Sequence, residues 1–144
     1  MRTRLVLVTA VGAVVCGLMS TGAQAAPKGF TKTVAFTDAT PDPSGNAASG
    51  DDHHCHGRLP QEAPIAVKIP GPGNVDVSTA GFVGDWALEV RDETGDVLAG
   101  DDQNPPATES TSVRLKKAST IYILPCNLAG SPQAKVTYTY TYKK

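Results

Sequence analysis

Aromatic side chains are scarce: one Trp, four Tyr and three Phe make up 6% of the 144 residues. A core must therefore be filled mainly by aliphatic residues, and the few rings are needed inside it. Histidine is just as rare, and all three copies, His53, His54 and His56, fall within four positions. A histidine base would have to come from that one cluster. There is no Gly-x-Ser-x-Gly elbow, no His-Glu-x-x-His and no glycine-rich phosphate loop. That removes the motif-borne routes to serine hydrolysis, zinc peptidase chemistry and nucleotide binding. Positive charge is not in excess, with 13 basic against 14 acidic residues, so no nucleic-acid footprint is present. No stretch carries a convincing helical period.

What is present begins with an export signal. Arg2 and Arg4 precede an uncharged apolar run, Leu5 to Leu18, and Ala23-Gln24-Ala25 is a small-x-small cleavage pattern. Residues 1–26 therefore read as a secretory signal peptide. The run is too short to span a bilayer, which takes about 20 residues, and no later one is longer. Removing 26 of 144 residues leaves 118, enough for one domain (27–144) with a modest core. The 13 basic residues less Arg2 and Arg4, against 14 acidic, give a balance of −3. A secreted, extracellular, soluble monomer with no membrane or nucleic-acid partner is expected. Cys16 departs with the signal peptide. Cys55 and Cys126 remain, and an even count in an oxidising compartment reads as a disulfide. A bridge over so long a loop is worth about 4 kcal/mol in the chain-entropy model.

Alternation with period 2 recurs along the mature chain. Residues 27–50 hold a strand over Phe30 to Thr37, with Val34 and Phe36 on one face, and a mobile loop rich in small residues from Asp38 to Gly50. Residues 51–144 hold the rest of the sandwich. Ile65, Val67 and Ile69 form a strand bounded by Pro64 and Pro70. Gly71-Pro72-Gly73-Asn74 is then a turn, and Val75, Val77 and Thr79 complete a hairpin. Phe82 plugs the core beyond it. Asp85 to Arg91 sends Trp86, Leu88 and Val90 one way and Ala87, Glu89 and Arg91 the other. Asp92-Glu93-Thr94-Gly95 is a hairpin turn whose Gly95 needs positive φ, and Val97 to Ala99 is the return strand. Val113 and Leu115 mark the next strand. Ser119 to Leu124 follows and is ended by Pro125, and Gln133 to Tyr142 is the last. About eight strands without a helix predict an all-β, antiparallel, two-sheet, jelly-roll-like sandwich.

From Val67 onward the chain resembles the bacterial pre-peptidase C-terminal (PPC) domain family. The resemblance rests on the Pro-Gly turn before Val75-Asp76-Val77, on Gly81-x-x-Gly84-Asp85-Trp86-x-Leu88-x-Val90-x-Asp92, and on Gly95-x-x-x-Ala99-x-Asp101-Asp102. A final strand of alternating Tyr and Thr completes it. Ala87 departs from the acidic residue that family members often carry there. The resemblance implies a jelly-roll-like sandwich that assists secreted enzymes, binds collagen or polysaccharide and in several relatives holds calcium. This chain reads as a stand-alone member, since no peptidase segment precedes the sandwich.

Three candidate sites follow. Asp51, Asp52, His53, His54 and His56 offer carboxylates and imidazoles to zinc or copper. Asp101 and Asp102, with Asp38, Asp42, Asp51 and Asp52, offer oxygens to Ca²⁺, although Asp92 to Asp96 lacks EF-hand spacing. The alternatives are a polar loop tied down by Cys55 and turn-forming aspartates. Tyr138, Tyr140 and Tyr142 form a stripe that is either core or a binding platform, and Tyr142 is the member expected at the surface. The overall expectation is a non-catalytic binding or accessory domain without an obligatory cofactor, acting on an extracellular polysaccharide, a collagen-like polymer or a secreted protein. A calcium- or zinc-dependent binding module is one alternative, and a small secreted hydrolase or protease inhibitor is another.

Overall fold

A computed structural model describes residues 28–39, 55, 63–103 and 108–143. Among these residues there is no helix, and eight strands form two four-stranded antiparallel sheets. The strands are β1 (Phe30–Thr37), β2 (Ile65–Ile69), β3 (Gly73–Ala80), β4 (Gly84–Arg91), β5 (Val97–Asp101), β6 (Glu109–Leu115), β7 (Ser119–Gly130) and β8 (Gln133–Tyr142). Sheet A has the order β1-β8-β3-β6 and sheet B the order β2-β7-β4-β5. The predicted two-sheet sandwich is thus what the chain forms. The signal peptide and most of the 40–62 segment lie outside the described residues.

Each strand gives one apolar face to the space between the sheets, as alternation requires. Val75, Val77, Val136, Tyr138 and Tyr140 from sheet A meet Val67, Trp86, Leu88, Val90, Ile121 and Ile123 from sheet B. Trp86, Leu88 and Val90 are fully buried, as their shared parity predicted. Tyr138 and Tyr140 belong to this core too, and the Tyr140 hydroxyl donates to the Pro72 carbonyl at 3.1 Å. Phe82 plugs the edge against Trp86, with ring centroids 5.8 Å apart, and the Trp86 indole N–H donates to the Ser131 carbonyl at 3.2 Å.

The connections differ from the sequence reading in one respect. β2 and β3 do not form a hairpin: β2 pairs with β7, whereas β3 pairs with β6 and β8. The Pro70-Gly71-Pro72 connector instead carries the chain from sheet B to sheet A. Gly73 then lies so close to β8 that a Cβ there would strike the Thr141 carbonyl. Only β4–β5 joins neighbours within one sheet, and there the hairpin reading holds, with Gly95 at φ 93°. The other connections between described strands cross between layers. Alternation reports which face of a strand is buried, not which sheet it joins.

Pro125 also fails to end its strand, because β7 runs on to Gly130. The first part of β7 pairs with β2 up to the Ile65–Ile123 partnership, and the later part pairs with β4 only. Pro125 stands beyond the end of β2, so its missing N–H leaves no ladder bond broken on that side. Past it, Cys126, Leu128, Leu124 and Ala87 form a second small cluster on the outer face of sheet B, covered by Cys55. The Cys55–Cys126 disulfide closes there with a Cα separation of 5.8 Å.

Candidate functional site

The disulfide end is built around Glu89. Its parity sets it on the face opposite Trp86, and it is wholly buried there, with Cys55 against it. Burying a carboxylate requires charge and hydrogen-bond partners. Arg91, two residues along and on the same face, supplies Nε and Nη2 to Glu89 Oε2 at 2.7 and 2.5 Å. The Cys55 amide donates to Glu89 Oε1 at 2.7 Å. The Glu-x-Arg spacing was the available signal for this pair. Asp38 makes a comparable tie at the exit of β1: its carboxylate accepts from the Asn127 amide, and its carbonyl accepts from the Asn127 side chain, both at 3.0 Å. These residues hold the two sheets and the disulfide segment in register.

Asp101 and Asp102, proposed as metal ligands, close the β5–β6 corner. Asp101 Oδ2 accepts from the Ser110 amide at 2.7 Å, and its carboxylate also receives the Gln103 side chain. Glu109 lies beside them and is 1% exposed. Its Oε2 accepts from the Gln103 amide at 2.8 Å, while Oε1 is buried without a hydrogen-bond partner. Burial pushes the Glu109 carboxyl up to about 7. The Gln103 amide opposes the rise, and the negative charges of Asp101, Asp102 and Asp85 add to it. Sequence reasoning missed Glu109 because it stands at the first position of a strand rather than in a motif. Among the described residues, no group of three or more His, Cys, Asp or Glu side chains is arranged to hold a metal ion. Asp51, Asp52, His53, His54 and His56 lie outside the described residues. Cys55 contacts Glu89, whose partner on β5 is Gly100, but Asp101 stands opposite inward-facing Leu88. Tyr142 is half-buried and packs on the edge of the main core.

The outer face of sheet A is different in kind. Inward alternation of apolar residues leaves short polar side chains pointing outward on four adjacent strands. Register aligns them in two rows: Thr31–Thr139–Asp76–Ser112 and Thr33–Thr137–Ser78–Ser110. Neighbours within a row are about 4.8 Å apart, and the rows are separated by about 7 Å along the strands. The Thr31 and Thr139 hydroxyls share a hydrogen bond of 3.0 Å, Thr33 and Thr137 one of 2.9 Å, and the Ser112 hydroxyl donates to Asp76. A groove of about 340 Å³ runs over β3, β6 and β8, lined by Asp76, Ser78, Ser110, Ser112, Thr137 and Thr139. Its hydroxyls can both donate and accept, and Asp76 supplies a charged acceptor. The Thr137-x-Thr139-x-Thr141 and Ser110-x-Ser112 spacings carried this signal. Only the register shows that they form one surface.

No protein-family model matches the sequence, and no curated protein does. Among solved structures, the chain is similar to the acidic stable capsid structure of Helicobacter pylori bacteriophage KHP30. That match has 11% identity and a TM-score of 0.41, and covers 81% of this chain and 90% of that one. It is also similar to the Bacillus endospore appendages that form disulfide-linked pili, at 12% identity and a TM-score of 0.37, covering 80% and 88% of the two chains.

Proposed function

We propose that this chain is a secreted, non-catalytic β-sandwich module that binds a hydroxyl-rich extracellular polymer across the outer face of sheet A. The observation that carries the reading is the groove of about 340 Å³ walled by Asp76, Ser78, Ser110, Ser112, Thr137 and Thr139. A polysaccharide offers closely spaced hydroxyls that alternate as donors and acceptors, and a field of Ser, Thr and Asp answers both. Short side chains on strands lose little conformational freedom on binding, which favours weak but repeated contacts. The likeness of the Val67–Tyr142 segment to accessory domains of secreted enzymes agrees with this role.

The test is co-sedimentation of the mature protein with insoluble cellulose, chitin, peptidoglycan and collagen. Retention on at least one polysaccharide is expected, and Ser112→Tyr, which fills the groove from an exposed position, should abolish it while leaving the melting curve unchanged. Retention unaffected by Ser112→Tyr would overturn the site. Retention on collagen alone would overturn the polymer class. A calcium-dependent version of this module is favoured by one observation, the unpartnered Oε1 of Glu109 beside Asp101. It predicts a calcium-induced rise in melting temperature that Glu109→Gln removes.

A further inference from the structure

A second cleft, of about 490 Å³, opens at the end of sheet A where β6 turns into β7. Arg114, Lys116, Lys117 and Asp92 line it together with the apolar Leu98 and Leu115. All three cations are exposed. None of them makes an ion pair among the described residues. Asp92 is committed to its own turn: its Oδ1 accepts from the Thr94 amide, the Thr94 hydroxyl and the Asp96 amide at 2.8, 2.6 and 3.0 Å. The Thr94 hydroxyl bond is the main cause that holds its carboxyl below the usual range. Three unpaired cations against one satisfied carboxylate make a local positive excess on a chain whose formal net charge is −1.

The cleft and the hydroxyl-lined groove follow one another along β6. Ser110, Ser112 and Arg114 are successive outward residues of β6, spaced about 7 Å apart, and Lys116 follows just past the strand. Ser110 and Ser112 line the groove, and Arg114 and Lys116 line the cleft. Given the polymer-binding role proposed above, we infer that the polymer is an anionic polysaccharide. Its neutral hydroxyls lie over Ser110 and Ser112, and its acidic groups reach Arg114, Lys116 and Lys117. Asp92 lines the same cleft and repels such a chain, so the polymer leads away along β6. No aromatic side chain is among the residues lining the groove or the cleft. Affinity must then come from hydrogen bonds and charge, and it falls as salt screens the charge.

The experiment is affinity electrophoresis of the mature protein in gels containing polygalacturonate, dextran sulfate, neutral dextran or poly-glutamate. A triple variant, Arg114→Gln/Lys116→Gln/Lys117→Gln, is run beside the wild type, with melting curves for both. Retardation by polygalacturonate or dextran sulfate is expected to exceed that by neutral dextran by about tenfold in apparent affinity. It should weaken between about 50 and about 200 mM salt and be lost in the triple variant at an unchanged melting temperature. The polygalacturonate and dextran sulfate arms separate a carboxylate from a sulfate source. Equal retardation by neutral and acidic polysaccharides overturns this inference but leaves the polymer-binding role standing. Poly-glutamate binding as tightly as the acidic polysaccharides overturns it in favour of an acidic protein partner. Failure of every polysaccharide to retard the protein overturns both.

Discussion

Replacing Glu109 with Gln should make the protein more stable above neutral pH and leave it unchanged in acid. Folding raises the Glu109 carboxyl from 4.5 to about 7. The folded state therefore binds that proton more tightly than the unfolded chain does. The resulting stabilisation is complete below 4.5 and is lost as pH rises through about 7. Unscreened, this gap corresponds to about 3 kcal/mol. Exposed Asp102 and Gln103 border the corner, so water screens part of it and about 1–2 kcal/mol is a fairer magnitude. Gln carries no charge to desolvate. Its carbonyl can still accept from the Gln103 amide, and its amide can donate toward Asp101. Urea denaturation followed by fluorescence of the single, buried Trp86 should give coincident curves near pH 4.5. Near pH 8 the variant should be ahead by about 1–2 kcal/mol, or roughly 3–10 °C in melting temperature for a domain of this size. A difference that stays flat across pH, or a variant less stable than wild type near pH 8, would refute the reasoning.

Three further outcomes follow from the same structure. The Cys55→Ala/Cys126→Ala protein should lose about 4 kcal/mol, because the bridge spans a sequence separation of 71 residues; thermal melts with and without reductant measure this. Glu89→Ala should be destabilised by about 3–5 kcal/mol, since it strands Arg91 and the Cys55 amide without their acceptor, and denaturant titration reads the loss. Gly84→Ala should be destabilised by about 1–3 kcal/mol or more, because Gly84 has φ 102° and a Cβ there would meet the Ala129 carbonyl.

Much of the fold was legible because period-2 alternation is a local property. The bounds of β1, β2 and β8 and the inward set Trp86, Leu88 and Val90 follow from the order of residues alone. Layer membership did not, since a strand with one apolar face can serve either sheet. The supposed β2–β3 hairpin and the halt at Pro125 both came from reading local turn chemistry where long-range pairing decides. The burial of Glu89 was hidden for a related reason. Alternation located it on the outer face of β4, and only the disulfide partner shows that this face is covered. The polar rows on sheet A combine residues from β1, β3, β6 and β8, so no window of the sequence contains them. The basic cleft likewise joins the 114–117 run to Leu98 and Asp92 from a different sheet.

The most direct measurement of polymer binding at sheet A is a two-dimensional amide NMR titration of the mature protein with soluble polysaccharide fragments. The expected result is that the amides of Asp76, Ser78, Ser110, Ser112, Thr137 and Thr139 shift together with a single affinity, while those of β2 and β7 stay in place. Shifts confined to sheet B or to the disulfide end, with sheet A unmoved, would contradict it.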